Sequence, residues 1–97
     1  MNAVERLWQG IARSDYAAIA AQLHEHARIH WPHTGEYVSA TEYVIRQRLA
    51  GEREVRVVRV LVDDERVAIH ATVGDRTVGG FYDLQQSRIA AGVEIWT

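Results

Sequence analysis

The chain has 97 residues, 47% hydrophobic and 25% charged, so it is expected to fold as one domain spanning 1–97 rather than stay disordered. It has no cysteine, which excludes disulfides, thiolate metal ligands and cysteine nucleophiles. A net charge of −2 argues against a broad grip on nucleic acid, and no apolar run approaches the roughly 18 residues that cross a bilayer.

All 11 basic residues are arginine. Schiff-base chemistry and a P-loop, which both need a lysine amine, are thereby excluded. An all-arginine set suits fixed ion pairs, although a GC-rich genome produces the same bias. The N-terminus lacks the basic region and apolar core of a secretory signal, so the expected compartment is cytoplasmic.

Val4, Leu7, Trp8, Ile11 and Ala12 place one apolar stripe on a first helix. Ser14 or Asp15 can cap a second, with Tyr16, Ile19, Ala20 and Leu23 as its stripe. The segment 27–31 reads as a short strand ended by Pro32, followed by a loop over 33–37 around Gly35. Ser39 and Glu42 have capping-box spacing and open a third helix to about Leu49, with Gly51 as its stop.

From Val55 the period becomes that of strands. Val55 and Val57, then Val58, Val60 and Val62, change phase once, which predicts a bulge or a strand buried on both faces. After the polar turn 63–65, Val67, Ile69, Ala71 and Val73 share a face opposite Ala68, His70 and Thr72. A turn at 74–76 and another at 85–87 lead to two more strands, 78–84 and 89–96. Short turns between consecutive strands predict an antiparallel meander. Helices followed by strands predict an α+β domain.

The stretch His30-Trp31-Pro32-His33 through Gly35-Glu36 to Ser39, with its capped helix, resembles the middle of a nuclear-transport-factor-2-like domain. Gly80-Phe81-Tyr82-Asp83-Leu84, then Arg88-Ile89 and Glu94-Ile95-Trp96, are similar to the last hairpin of the SnoaL-like branch. The resemblance covers essentially the whole chain. It implies a cone-shaped, curved antiparallel sheet, mostly a meander, packed on about three N-terminal helices, with a pocket at the wide end. It also implies a homodimer through the sheet, and either a binding function or isomerase, polyketide cyclase, dehydratase or epoxide hydrolase chemistry. Relatives often continue past the last strand, so ending at Thr97 predicts a pocket that is shallow, open or closed by a second subunit. Ketosteroid isomerases carry a catalytic carboxylate where Trp31 stands here, a tyrosine near Leu7 and a protonated acid near Gly80. None of those roles suits indole, isobutyl or hydrogen, so that chemistry is not expected.

If Trp96 points into the cone as its family counterpart does, alternation sends Glu94 and Gly92 the same way. Tyr82 and Gly80 then share the surface, with His70 and Ala68 on the next strand. His70 and Glu94 are the candidate acid–base pair, since imidazole titrates near neutrality and an aromatic pocket raises a carboxylate's pKa. Trp8, Ile29, Trp31, Tyr82 and Trp96 are the candidate contacts for a small hydrophobic molecule. His24, His26, His30 and His33 crowd together, but helix end, strand and loop do not align four nitrogens, so no metal is expected; no cofactor, nucleic acid or membrane partner is expected either. Arg46, Arg48, Arg53, Arg56 and Arg59 form a basic run interrupted by Glu52 and Glu54, which predicts an ion-paired surface, with an anionic ligand there as the alternative. Two functions follow. The chain is a dimeric binding domain with an aromatic pocket, or a SnoaL-like enzyme acting through His70 and Glu94 on a carbonyl or ring compound.

Overall fold

A computed structural model describes the chain from Met1 to Thr97. Helix α1 (Ala3–Arg13) buries Val4, Leu7, Trp8 and Ile11 of the predicted stripe and leaves its last member, Ala12, exposed. Its start is fixed by a capping box that the apolar stripe does not reveal. The Asn2 side chain accepts from the Glu5 N–H at 2.9 Å, and the Glu5 carboxylate accepts from the Asn2 N–H at 3.0 Å. Asp15 caps α2 (Tyr16–Ala21) by accepting from the Ala18 N–H. Gly10 lies where the two helices meet, because a Cβ there would stand 3.0 Å from Ile19 Cγ1.

Strand β1 (Leu23–Trp31) begins four residues before the expected 27, so Leu23 belongs to it and not to the second helix. Pro32 ends it as anticipated. The Thr34 and Gly35 N–H groups then bond back to the Trp31 carbonyl, with Gly35 at φ 76. This tight turn lays β2 (Glu36–Ser39) antiparallel on β1, where the sequence suggested only a loop to Tyr37. Ser39 caps α3 (Ala40–Ala50) by accepting from the Glu42 N–H, but Glu42 completes no box and instead reaches toward Arg46 at 3.8 Å.

Strands β3 (Val55–Asp63), β4 (Arg66–Val73), β5 (Arg76–Gln85) and β6 (Arg88–Trp96) form the antiparallel meander. The phase change in β3 is a bulge: Val57 faces Ala71 and Arg59 faces His70, which leaves Val58 as the extra residue. β3 is an edge strand and is not buried on both faces. The six strands run in the order β2-β1-β6-β5-β4-β3, and β1 pairs with β6 in parallel, so the curved, unclosed sheet is mixed. Its concave face is covered by α1 over β3 and β6, and by α3 over β1 and β2. No helix is long and apolar enough to cross a membrane.

Candidate functional site

Pairing register decides what faces the helices. Residues opposite one another in neighbouring strands project to the same side. Ile69, Gly80 and Glu94 form one inward row, and Val67, Tyr82, Gly92 and Ile29 form the next. Val78 and Trp96 extend the same face. Glu94, Tyr82, Ile29 and Trp96 therefore point into the cone, where Trp31 joins them from the end of β1 and Trp8 from α1.

His70 does not. It pairs with Gly79 and Arg59, lies on the outer face and is exposed. The two-residue turn at Gly74-Asp75 pairs Val73 with Arg76, so the residue aligned with Gly80 is Ile69. The apolar side of β4 is the side that the helices cover, and that side is also the inside of the cone. His70 and Glu94 thus stand on opposite faces of the sheet, and no acid–base pair exists between them.

Glu94 is fully buried (0% exposed) and holds a network of neutral donors. Trp31 Nε1 donates to Glu94 Oε1 at 2.9 Å. The Tyr43 and Tyr82 hydroxyls donate to Oε2 at 2.7 and 2.6 Å, and Trp8 Nε1 donates to the Tyr82 oxygen at 3.1 Å. Burial raises the Glu94 pKa above 4.5, while hydrogen bonds from Tyr82, Trp31 and Tyr43 pull against it. Both tyrosines are pushed well above 10.0, first by burial and then by the adjacent carboxylate, so they are neutral donors at physiological pH.

Two glycines make this geometry possible. A Cβ at Gly80 would lie 2.5 Å from the Tyr82 hydroxyl, and one at Gly92 would lie 2.7 Å from the Tyr82 ring. The phenol thus rests flat on two bare strand positions and reaches Glu94 along the sheet.

Tyr43 is the member that sequence reasoning missed. It shares an inward face of α3 with the buried Gln47, four residues on, and that i, i+4 pair was the available signal. Arg46 belongs to the predicted basic run. It makes a two-pronged ion pair with Glu36, both contacts at 2.8 Å, and lies 5.1 Å from the centre of the Trp31 ring. The pair lowers the Glu36 pKa to about 2, chiefly through the Arg46 hydrogen bonds. None of the run pairs with Glu52 or Glu54; Arg53 donates instead to the Gln47 side-chain oxygen. The histidines also go separate ways. His30 stacks on Tyr37 at 4.0 Å, His24 faces His26, and His33 lies beside Trp31.

The cone interior is filled by Trp8, Ile29, Tyr43, Tyr82 and Glu94. Open space lies above them, in a cavity of about 170 Å³ between the C-terminal half of α3, the β1–β2 turn and the adjoining ends of β5 and β6. Trp31 and Trp96 border it, whereas Trp8, Ile29 and Tyr82 do not. A larger groove of about 490 Å³ between Ala20, Leu23, Val44 and Leu49 is lined by none of these groups.

The SnoaL-like domain family model matches residues 4–97. Among solved structures, an NTF2-like protein of unknown function from Burkholderia xenovorans superposes with a TM-score of 0.87 at 15% identity, over 98% of this chain and 80% of that one. A protein of Kribbella flavida named "putative ketosteroid isomerase" gives 0.83 at 21% identity, over 98% and 75%. An M. tuberculosis LEH-like epoxide hydrolase gives 0.78 at 16% identity, over 98% and 80%. A search of curated proteins found no match to the sequence.

Proposed function

We propose that this chain, which belongs to the SnoaL-like domain family, is a small-molecule-binding domain that receives a hydrophobic ring compound at the wide end of its cone. The carrying observation is the double engagement of Trp31, whose Nε1 is tied to buried Glu94 while its ring borders the open cavity. Tied by Nε1 to Glu94 and with Arg46 over its ring, the indole is a preorganised cavity wall that loses little freedom when a ligand packs against the part left open. The filled interior favours binding over turnover. A substrate atom meets Glu94 only by displacing Tyr43, Tyr82 or Trp31.

The test is a titration of ¹⁵N-labelled protein with phenol and cyclohexanone, following the three indole N–H signals. Trp31 and Trp96 should move and Trp8 should stay. No movement of the first two would overturn the reading.

An enzymatic form of the reading is favoured by the raised pKa of Glu94, a group suited to proton transfer to a substrate that takes the place of one ring and keeps water out. It would use Glu94 without His70. Turnover of a carbonyl or epoxide compound that survives His70→Ala but not Glu94→Gln would decide for it.

Pairing of two copies through the outer sheet face completes the proposal. Leu61 and Phe81, in one cross-strand row, are 61% and 55% exposed, and Ile95 on the same face is 44% exposed. Light scattering should give a dimer that Phe81→Arg converts to monomer.

A further inference from the structure

The cavity at the cone mouth is lined by Arg46, Arg53 and Arg76 and by no carboxylate. Arg46 is spoken for by Glu36. The other two are not: neither Arg53 nor Arg76 takes part in any ion pair of the molecule. Arg53 is anchored at one corner, where Nη2 donates to Gln47, itself buried. Its Nε is shielded from water and has no acceptor anywhere in the chain. The guanidinium is thus held at one nitrogen beside open space, and its charge has no carboxylate partner within the chain, so an anion entering the cavity meets an uncompensated positive group. Arg76, an exposed residue, also lines the cavity and lies 5.5 Å from the centre of the Trp96 ring.

We propose that this cavity binds a small single-ring carboxylate, with its anionic head between Arg53 and Arg76 and its ring against Trp31 and Trp96. The size is set by the cavity, which at about 170 Å³ is below the usual range for drug-sized ligands and admits one ring. The charge is set by two uncompensated guanidinium groups, whose planar forks match a carboxylate. The inference rests on the ring-binding reading above and adds the charge that the reading leaves open.

Benzoate and its neutral isostere benzamide separate the two. Benzoate should shift the Trp31 and Trp96 indole signals and bind about tenfold tighter than benzamide at low salt, as expected for a charge-assisted contact. The preference should fall as salt is added, because the mouth is partly open to solvent. Arg76→Gln, at an exposed position, should abolish most of it, and Arg53→Gln should do the same. Equal binding of benzoate and benzamide would overturn the anion site and leave ring binding standing. No indole shift with either compound would overturn both.

Discussion

Two glutamates flank Trp31, and the protein treats them in opposite ways. Glu94, beneath the indole, is sealed from water and surrounded by neutral N–H and O–H donors, so its pKa rises despite three hydrogen bonds. Glu36, at the rim, keeps 37% of its side chain in solvent and meets a full positive charge, so its pKa falls to about 2. Hydrogen bonds alone therefore do not set the direction. Where the carboxylate loses water and gains only dipoles, desolvation wins; where it keeps water and gains a guanidinium, the charge wins.

The harshest way to break the comparison is to remove the lower carboxylate. Glu94→Ala leaves two tyrosine hydroxyls and one indole N–H buried without an acceptor, beside a new void. A loss of about 3–5 kcal/mol in denaturant unfolding is expected. Glu94→Gln keeps the shape and should cost much less, while exposing the pH signature. Because the folded-state pKa is raised, Glu94 favours the folded state most below 4.5, and that contribution is lost as pH rises through the folded value. The wild type should lose stability relative to Glu94→Gln over that interval, and parallel profiles would refute the assignment.

A smaller effect tests the platform under the network. Gly79 and Gly80 are neighbours in β5 that face opposite sides. A methyl at Gly80 collides with the Tyr82 ring and hydroxyl, whereas one at Gly79 meets open space. Gly80→Ala should cost about 1–3 kcal/mol by overpacking and shift the Tyr82 ring resonances. Gly79→Ala should stabilise by about 0.5–1 kcal/mol, because a strand glycine loses more freedom on folding than alanine. Thermal melts of the pair should move in opposite directions.

The same strand shows what was legible beforehand. Period-2 alternation puts Glu94 on the side of Trp96 along β6, because side-chain direction along one strand is a local property, while the inward sense of that side, and Tyr82 on the neighbouring β5, come from the family resemblance. Placing His70 requires knowing which residue of β4 stands opposite Gly80, and that depends on the exact length of the turn at Gly74-Asp75, where one residue more or less reverses the faces. Alternation gives the polar side of β4 but not which side of the sheet it occupies, and the structure puts it outside. Tyr43 was hidden for a related reason. α3 exposes Ile45 and Leu49 on one side and buries Tyr43 and Gln47 on another, so its composition names no unique inner face. β2 escaped notice because four residues carry too little periodicity, and its strand character comes from hydrogen bonds to β1.

The gentlest test acts on the upper carboxylate alone. Arg46→Gln removes the charge that holds Glu36 down but leaves its solvent exposure intact. The Glu36 carboxyl resonance, which should titrate near 2 in the wild type, should move back toward 4.5 in the variant. The sign in stability is the reverse of that for Glu94: the Glu36 contribution is present above 4.5 and lost as the pH falls toward 2. Arg46 also lies against the Trp31 ring, so the variant frees one side of the indole while the Glu94 bond beneath persists. An indole N–H that keeps its shift in Arg46→Gln and loses it in Glu94→Gln would show that the lower carboxylate sets the position of Trp31 and the upper one only steadies it.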